Sequence, residues 1–403
     1  MPRWPAAWAR VLIAGFVVAI ALQGLATIAG VDRESARGEN RALAPPPAIR
    51  LDWPTLSALP DGFTRYFEDG FAFRTRLVRW QAAFRLLALH VSPSPDVVIG
   101  RDGWLFYADD GAVEDYAAAT PLSAEDLEVW RRTLQNTQDW LRRRGIAYLF
   151  VIAPDKHAIY PEFMPSTVHR LSPTSRSDQL AQYLIRRSTV NVLDLRPALL
   201  AAKAGERIYH RTDTHWNDRG AFVASQQIIG RLGADTGMRP LLRSAFAARD
   251  VLAPGMDLAG MLGLGDVLSE RDLGLVPIER RAARVIEPLH PDPHGMEARL
   301  VTEHPDAQLP RAVVFRDSFG SALVPFLSGH FSRAVYLWQY DMDPAVVAEE
   351  HPSVVIQEWV GRRLSALLPY DAVADMKAVD GAHNGRDATG VRRDVSSTAA
   401  ARR

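Results

Sequence analysis

The stretch Ala312-Val313-Val314-Phe315-Arg316-Asp317-Ser318-Phe319-Gly320 passes from a continuous apolar run into a polar turn. A short apolar run bounded in this way is typical of a buried strand in a parallel sheet. We therefore predict a strand over residues 312–316 and a helix that begins at Phe319. Ser318 then lies where a strand turns into a helix, as nucleophilic serines do in α/β hydrolytic folds.

The segments on either side of this stretch extend the same pattern. Apolar runs at 333–338 and 354–358 predict two more strands, with a helix from about Pro344 between them. Upstream, residues 148–153 form another buried strand, and residues 123–145 before it carry the apolar stripe of a helix. Alternation of this kind predicts an α/β fold in which helices cover both faces of a parallel sheet, which makes three layers.

Composition narrows the classes of partner and of chemistry. The chain has 403 residues, of which 47% are hydrophobic, so it can bury a large core. Lys and Arg together number 47, as do Asp and Glu, so the net charge gives no indication of a nucleic-acid partner. Cysteine is absent, which excludes disulfides, thiolate metal ligands and cysteine nucleophiles.

The N-terminus contains a candidate membrane segment. Residues 11–30 carry no charge and are about as long as a bilayer requires, roughly 20 helical residues. Arg3 and Arg10 precede them, so the positive-inside rule keeps the N-terminus in the cytoplasm and places the rest of the chain beyond the membrane. We expect residues 1–30 to be a transmembrane anchor. A cleaved signal peptide is the alternative, because Gly24-Leu25-Ala26 is an acceptable small-x-small cleavage site.

The remaining chain divides by composition. Residues 31–60 are polar and then proline-rich, which predicts a linker, and residues 61–370 carry the α/β pattern of the main domain. Residues 371–403 are poor in large apolar residues and are expected to be a disordered tail. Residues 240–310 look less regular, and we interpret their glycine-rich part, 255–265, as a loop beside the functional site.

A second polar stretch, Arg211-Thr212-Asp213-Thr214-His215-Trp216-Asn217-Asp218, supplies an acid and an imidazole two residues apart. Serine attacks well only when a neighbouring base takes its proton, and histidine suits that task when a partner fixes its tautomer. Since the i and i+2 side chains of extended backbone point to the same side, Asp213 can orient His215. We predict that Ser318 is a nucleophile, that His215 is its base and that Asp213 orients His215. The backbone amides of Ser318 and the next residues are expected to be free and to supply part of an oxyanion hole.

Other residues near these segments are candidates for substrate contact. Three follow the buried strand 148–153, and ligands in open α/β sheets bind beyond the carboxyl ends of strands. The others adjoin His215 or Ser318 in sequence. The candidate substrate-binding residues are Asp155, Lys156, Tyr160, Trp216, Asn217 and Arg316.

Two alternatives remain open at this point. Metal binding is one, because His210, Asp213, His215 and Asp218 offer nitrogen and oxygen ligands. Their spacing matches no common zinc pattern, so we expect neither a metal nor a cofactor. The other is a structural role, in which the histidine is satisfied by its loop and Asp317 caps a helix.

Six motifs between residues 39 and 340 carry a family resemblance. They are Glu39-Asn40-Arg41, Asp69-Gly70-Phe71-Ala72-Phe73-Arg74, Gly100-Arg101-Asp102-Gly103-Trp104-Leu105-Phe106-Tyr107, Ala153-Pro154-Asp155-Lys156, Asp213-Thr214-His215-Trp216-Asn217 and Asp317-Ser318-Phe319-Gly320. On these motifs the chain resembles the SGNH-hydrolase-like polysaccharide O-acetyltransferases of the alginate acetylation type, the AlgJ/AlgX group. It departs from the wider superfamily at Arg316, where many members have glycine.

The resemblance implies an SGNH-hydrolase-like (flavodoxin-like) fold and a triad of Asp213, His215 and Ser318. It implies transfer of acetyl groups to hydroxyls of an exopolysaccharide through an acyl-serine intermediate. It also implies a place in the Gram-negative periplasm at the inner membrane, with a polysaccharide acceptor and a multispanning membrane acyltransferase that supplies acetyl groups as partners. A carbohydrate acetylesterase of the same mechanism and a non-catalytic polysaccharide-binding scaffold subunit are the alternatives.

Overall fold

A computed structural model describes residues 6–29, 31, 44–69, 72–278, 283–287 and 299–375. The chain divides into two compact units, Met1–Pro93 and Ser94–Arg403. The domain boundaries expected from the sequence stay a prediction. The described residues do not include 32–43, which belong to the expected linker. They also do not include 376–403, which form most of the expected tail.

The described part of the first unit is helical. Its helices are α1 (Ala6–Ile28), α2 (Trp53–Asp69) and α3 (Arg74–Leu87). Within α1, Arg10–Thr27 has a mean hydropathy of 1.9, so this helix is long and apolar enough to cross a membrane. A signal sequence near an N-terminus has the same properties, so both expectations for this segment stay open.

The second unit contains a seven-stranded sheet and two antiparallel hairpins. Its strands are β1 (Val97–Ile99), β2 (Leu105–Tyr107), β3 (Ala147–Ala153), β4 (Val192–Asp194), β5 (Phe246–Pro254), β6 (Ser269–Pro277), β7 (Arg284–Glu287), β8 (Arg299–Glu303), β9 (Arg311–Arg316), β10 (Arg333–Trp338) and β11 (Val354–Val360). The sheet order is β4-β3-β11-β9-β10-β8-β7, in which the first five strands are parallel. The predicted parallel sheet is thus confirmed for these five strands. It is wrong at one edge, where β8 runs antiparallel to both β10 and β7.

Helices connect these strands and cover the sheet. They are α4 (Ala112–Ala117), α5 (Ala124–Arg142), α6 (Lys156–Ile159), α7 (Arg176–Arg187), α8 (Arg196–Lys203), α9 (Asp218–Thr236), α10 (Asp257–Met261), α11 (Ser318–Ser321), α12 (Val324–Leu327), α13 (Pro344–Glu350) and α14 (Arg363–Ala366). The start of α5 is fixed by a capping box, because Ser123 Oγ accepts from the Asp126 amide and the Asp126 carboxylate accepts from the Ser123 amide.

Two apolar cores lie on opposite faces of the sheet. Along β3, Leu149 and Val151 pack into a core that includes side chains of α8 and α9. Phe150 and Ile152 point the other way, into a core that includes side chains of α5 and α7. Because successive strand residues face opposite sides, a strand that is apolar throughout must be covered twice. The three-layer α/β fold predicted from the sequence is confirmed.

The region from 240 to 310, which looked irregular in sequence, contains the longest hairpin of the unit. Strands β5 and β6 pair over nine residues, from Phe246 with Pro277 to Pro254 with Ser269. Most side chains of β5 are exposed, so this strand lacks the apolar alternation by which a strand is recognised. Buried and exposed positions alternate along β6, but Glu270 and Asp272 occupy two of the buried ones. The glycine-rich segment 255–265, expected as a loop, contains the short helix α10.

Candidate active site

Asp213 and His215 form a hydrogen-bonded pair. His215 Nδ1 lies 2.7 Å from Asp213 Oδ1, and the same oxygen accepts a bond from the His215 amide at 2.9 Å. Burial raises the pKa of Asp213, but the hydrogen bond and charge of His215 outweigh burial and lower that pKa to about 2. An ionised Asp213 accepts a hydrogen bond from His215 Nδ1–H, and in this tautomer Nε2 is the nitrogen that can act as a base.

Ser318 is half-buried at the first position of α11, directly after β9. The strand-to-helix turn predicted from the sequence is therefore confirmed. Asp317 caps the helix, since its Oδ1 accepts from the Phe319 amide at 2.8 Å and its Oδ2 accepts from the Val360 amide at 2.9 Å. These two bonds fix the turn that carries Ser318 against the end of β11.

The two polar stretches meet through aromatic packing. The His215 ring contacts the ring of Phe319 edge-on, with centroids 4.8 Å apart, and Trp216 contacts the same ring at 5.0 Å. His215 Nε2 is buried and has no hydrogen-bond partner among the described residues. The expected bond between Ser318 and His215 is thus not formed in this structure. Catalytic hydrogen bonds often tighten only with substrate bound, so the triad stays a prediction.

The expected oxyanion hole needs a correction. Backbone amides after Ser318 were expected to be free, but the Phe319 amide donates to Asp317 Oδ1. This bond is a consequence of the helix cap, which satisfies an amide that an acyl oxyanion would otherwise use. A contribution from the Phe319 amide would require Asp317 to release it.

A second carboxylate approaches His215 from α10. Asp257 Oδ2 lies 3.7 Å from His215 Nδ1, while Asp257 Oδ1 accepts from the Thr214 amide at 2.8 Å. Burial and the charge of Asp213 raise the pKa of Asp257. The segment expected to line one side of the site therefore does so, and it contributes an acid that the sequence did not single out.

Lys156 supports the loop that carries the pair. Its ammonium is buried and donates to the carbonyl oxygens of His210 at 3.2 Å, Arg211 at 3.3 Å and Asp213 at 2.5 Å. Burial lowers the pKa of Lys156 to about 7, although nearby carboxylates, that of Asp213 first, oppose the change. All three donors of the ammonium are used within the protein.

Strand β6 holds the same loop from the other side. Glu270 Oε2 accepts from the amides of Arg211 and Thr212 at 2.7 and 2.9 Å. His210 Nδ1 lies 2.9 Å from Glu270 and 3.2 Å from Asp272. Burial lowers the pKa of His210, but hydrogen bonds to these two carboxylates outweigh it and raise the pKa to about 9.

The six candidate substrate-binding residues are all at most 5% exposed, and this burial does not favour the substrate contact expected from the sequence. Polar groups of Asn217, Tyr160 and Arg316 have protein partners, whereas the buried Nε1 of Trp216 has no hydrogen-bond partner among the described residues. Asn217 caps α9, Tyr160 Oη accepts from the Ile208 amide, and Arg316 donates to Asp317 O and Ser321 Oγ. Trp216 packs on Phe319, as described above. Substrate contact by Lys156, Tyr160, Trp216, Asn217 and Arg316 stays a prediction, and in this structure the contacts of these residues support the segments around the candidate site.

Asp155, the sixth of these residues, forms a buried ion pair. Its Oδ1 lies 2.5 Å from Arg362 Nη1, and its Oδ2 accepts from the Arg362 amide at 2.8 Å. The Arg362 guanidinium lies 5.7 Å from the centroid of the Phe319 ring. Nearby, Glu358 Oε2 accepts from the Asp317 amide at 3.1 Å, and burial raises the pKa of Glu358 well above its usual value.

The four possible metal ligands named from the sequence do not form one site. His210 groups with Glu270 and Asp272, whereas Asp213 and His215 group with Asp257. The fourth, Asp218, accepts from the Leu275 amide at 2.9 Å. The first group is already neutralised by ion pairs, since Arg207 Nη2 lies 3.1 Å from Asp272, which also pairs with Arg219.

Comparison with known proteins identifies the family. Residues 97–299 match the family of the SGNH hydrolase-like domain of the acetyltransferase AlgX. This span is 203 of the 403 residues, just over half of the chain. The chain belongs to the AlgX family of SGNH hydrolase-like domains. The matched span includes Asp213 and His215 and ends before Ser318.

Curated relatives of this AlgX-family chain carry the name "Probable alginate O-acetylase AlgJ". The protein from Pseudomonas aeruginosa is 31% identical over 188 residues, which cover 46% of this chain and 44% of that protein. The protein from Pseudomonas putida is 33% identical over 137 residues, a third of each chain. The chain thus matches less than half the length of these relatives.

Solved structures also resemble this AlgX-family chain. The O-acetyltransferase domain of Pseudomonas putida AlgJ is 22% identical, and its TM-score is 0.47. The match covers 73% of this chain and all of that domain. Bacillus cereus PatB1, solved with a sulfonyl adduct, is 17% identical, with a TM-score of 0.49, 66% of this chain covered and 97% of that one.

Several residues of the candidate site were not predicted from the sequence. They are Asp257, Glu270, Asp272, Glu358 and Arg362. For Glu358 a signal exists, because it stands near the carboxyl end of a buried strand, where ligand sites of α/β sheets lie. For Asp257, Glu270 and Asp272 no local signal exists, since their partners lie more than 40 residues away in sequence.

Proposed function

We propose that this protein is an O-acetyltransferase that moves acetyl groups onto hydroxyls of an exopolysaccharide in the periplasm through an acyl-serine intermediate. Ser318 is the nucleophile, His215 the base and Asp213 the group that orients His215. One observation carries the proposal. His215 is held through Nδ1 by Asp213, while its Nε2 is buried, unpartnered and packed beside the residue that follows Ser318.

In the first half of the reaction, Ser318 Oγ attacks the carbonyl carbon of an acetyl donor while His215 Nε2 takes the hydroxyl proton. The bond to the leaving group then breaks, and His215 returns the proton to that group. This leaves acetyl-Ser318 and a neutral imidazole. The carboxylate of Asp213 stabilises the imidazolium that exists between these two steps, because it is ionised and 2.7 Å from Nδ1.

In the second half, His215 Nε2 takes a proton from a sugar hydroxyl, and the hydroxyl oxygen attacks the acetyl carbon. The bond between that carbon and Ser318 Oγ breaks, and the serine oxygen regains the proton from His215. The products are an acetylated sugar and free Ser318. With water as the acceptor, the same steps release acetate, which is the chemistry of the alternative, a periplasmic carbohydrate acetylesterase.

The family and the N-terminal helix support the proposed acceptor and location. The curated relatives carry the name "Probable alginate O-acetylase AlgJ", which supports a polysaccharide acceptor. The apolar helix α1 supports attachment to the inner membrane of a Gram-negative bacterium, with the second unit in the periplasm. There a multispanning membrane acyltransferase would supply the acetyl groups.

The alternative that is not an enzyme is a non-catalytic polysaccharide-binding scaffold. The Ser318→Ala variant distinguishes the two, because only an enzyme would lose activity with this hydroxyl. We expect the full-length Ser318→Ala variant to lose acetate release from a chromogenic acetate ester, and the polymer of a complemented strain to lose its acetyl groups. Ser332→Ala is the matched control, because it removes a hydroxyl that bonds to Pro310 O, away from His215. Unchanged acetylation with a stably produced Ser318→Ala protein would favour the scaffold.

A further inference from the structure

Helix α2 of the first unit exposes an apolar stripe. Asp52 begins the helix, since its Oδ1 accepts from the Thr55 amide at 2.9 Å. No residue of α2 is buried, and Trp53 is 80% exposed. Exposed apolar residues recur along α2 at i, i+3, i+7 and i+10, a spacing that places them on one side of a helix. The residues of this stripe are Trp53, Leu56, Pro60 and Phe63.

Helix α3 has apolar residues on two sides, of which one is exposed. Ala82 and Leu86 are buried, so one side of α3 already packs against the protein. The other side repeats the spacing of α2, and there Trp80 is 76% exposed and Phe84 59%. The residues of this second stripe are Leu77, Trp80, Phe84 and Leu87. Large exposed apolar patches mark interaction surfaces, so the two stripes call for an occupant.

Exposed Trp and Phe side chains are a property of the first unit. Among the described residues of the second unit, the exposed large apolar side chains include neither Trp nor Phe. Trp is enriched at membrane–water interfaces, where its ring meets lipid and its N–H meets water. The kind of residue exposed on α2 and α3 therefore favours a membrane surface.

The corner between α2 and α3 is hydrogen-bonded to the end of α1. Thr27 Oγ1 accepts from the Ala72 amide at 3.0 Å, and the side-chain amide of Gln23 donates to Ala72 O. Thr27 and Ala72 are both buried. Gln23 and Thr27 stand in the last two turns of the apolar stretch Arg10–Thr27. If α1 crosses a bilayer, the corner therefore lies where α1 leaves it, on the side opposite the cytoplasm.

The charge of α3 suits the same surface. The helix carries four arginines and no acidic residue. They are Arg74, Arg76, Arg79 and Arg85. Helices that lie in a membrane interface combine Trp, Phe and Leu with Lys and Arg, and they bind through buried apolar area and through attraction to anionic lipids.

We propose that α2 and α3 form a second membrane contact, in which both apolar stripes enter the interface of the bilayer that α1 crosses, among anionic phospholipids. Lipid is the occupant, rather than a second copy of the chain, because both stripes belong to the unit that is bonded to the end of the apolar span. The assignment rests on the part of the proposed function that places α1 in a membrane, and it is independent of the chemistry of Ser318. Attachment to the membrane would then not depend on α1 alone.

Spin-label accessibility in the full chain tests the assignment. The chain has no cysteine, so Phe63→Cys, Trp80→Cys and Phe84→Cys can each carry a single nitroxide. Asp61→Cys and Glu68→Cys are matched controls, because both positions are exposed and their spacing from Phe63 places them on another side of α2. Each protein would be placed in nanodiscs of phosphatidylcholine and phosphatidylglycerol. Electron paramagnetic resonance then measures how often the label collides with oxygen, which concentrates in lipid, and with a water-soluble nickel chelate.

We expect the ratio of oxygen to nickel collisions to be severalfold higher at the three stripe positions than at the two control positions. Circular dichroism checks that each variant is folded, and Phe84→Cys decides for α3 if Trp80→Cys is not. The assignment fails if the labels of either helix are as accessible to nickel as the controls. It also fails if two copies broaden each other's spectra, or if neither reagent reaches a stripe label, since protein would then cover the stripe.

A label in the middle of α1 separates this result from the location in the proposed function. Ala19 is exposed there, so Ala19→Cys reports whether α1 itself lies in lipid. Residue 19 in lipid with the stripe labels in water would end this assignment and leave the anchor standing. Stripe labels in lipid with residue 19 in water would end the anchor and leave the contact of α2 and α3 standing.

Discussion

Asp213 and Asp257 both approach the imidazole of His215, but they lie at different distances from it. Asp213 Oδ1 is 2.7 Å from His215 Nδ1, whereas Asp257 Oδ2 is 3.7 Å away, beyond hydrogen-bond range. The pKa of Asp213 is lowered to about 2, so Asp213 is ionised at neutral pH, whereas burial and the charge of Asp213 raise the pKa of Asp257. The geometry thus favours Asp213 as the group that would orient His215.

We predict that Asp213→Asn lowers kcat for ester cleavage by about 10⁴, because an amide in that position favours the wrong imidazole tautomer. Asp257→Asn should cost less than about tenfold, since Asp257 makes no hydrogen bond to the ring. Steady-state kinetics with a chromogenic acetate ester measures both. Equal losses in the two variants would contradict the assignment.

Lys156 acts on the same pair through the backbone. Its three carbonyl contacts hold the segment from His210 to Asp213, and its ammonium lies 5.3 Å from the ring of Phe106. The sequence suggested substrate contact because Lys156 follows a buried strand. The structure shows contacts to the loop that carries Asp213 and His215, which the sequence could not reveal because the acceptors are backbone atoms more than 50 residues away.

We predict that Lys156→Met lowers the free energy of unfolding by about 2 kcal/mol, because buried carbonyls lose their partner. We also expect a lower kcat with little change in KM, measured well below the unfolding temperature. Lys203→Met is the matched control. Lys203 is half-buried and pairs with Glu162, so we expect a smaller loss of stability there and unchanged kinetics. A normal kcat in Lys156→Met would show that the loop keeps its geometry without this contact.

At the scale of elements, the hairpin of β5 and β6 supports the loop that carries Asp213 and His215 through charged contacts. Glu270 and Asp272 stand on β6 and face His210, and Asp272 also bonds to the Asn217 amide group. The folded-state pKa of His210 is raised from 6.5 to about 9. The stability that this raised pKa contributes is fully present below pH 6.5 and is lost as pH rises towards 9.

We predict that His210→Gln flattens the dependence of unfolding temperature on pH between 6.5 and 9. The lost contribution is at most about 3 kcal/mol, because each tenfold change in the acid dissociation constant corresponds to about 1.4 kcal/mol. His169→Gln, at an exposed position, should keep the slope of the parent protein. Differential scanning calorimetry across this range measures the slopes. If the His210→Gln slope matched that of the parent, the ion pairs would contribute nothing to stability here.

The elements differ in how well the sequence predicts them. Strands β3, β9, β10 and β11 are continuous apolar runs buried on both faces, and each was predicted within one or two residues. The hairpin of β5 and β6 was missed because most of β5 is exposed and because two of the buried positions of β6 carry Glu270 and Asp272 rather than apolar residues. The antiparallel edge of the sheet was missed because strand direction depends on connections through a region without a clear pattern.

At the scale of the whole molecule, the apolar helix α1 bears on the cellular location of the second unit. Its apolar stretch, Arg10–Thr27, suits a retained anchor as well as a cleaved signal. We predict that the chain stays in the membrane pellet after an alkaline carbonate wash of a Gram-negative host. An untagged chain released with its N-terminal segment removed, as read by mass spectrometry, would support the signal peptide instead.

The span matched to the AlgX family includes Asp213 and His215, but Ser318 lies outside it. Covalent labelling tests its role most directly. The full-length protein, its His215→Ala variant and its Ser318→Ala variant would be treated with a sulfonyl fluoride and mapped by peptide mass spectrometry. We predict a single adduct on Ser318 in the parent protein, much slower labelling in His215→Ala and none in Ser318→Ala. An adduct on another residue, or labelling of Ser318 at an equal rate without His215, would contradict the proposed mechanism.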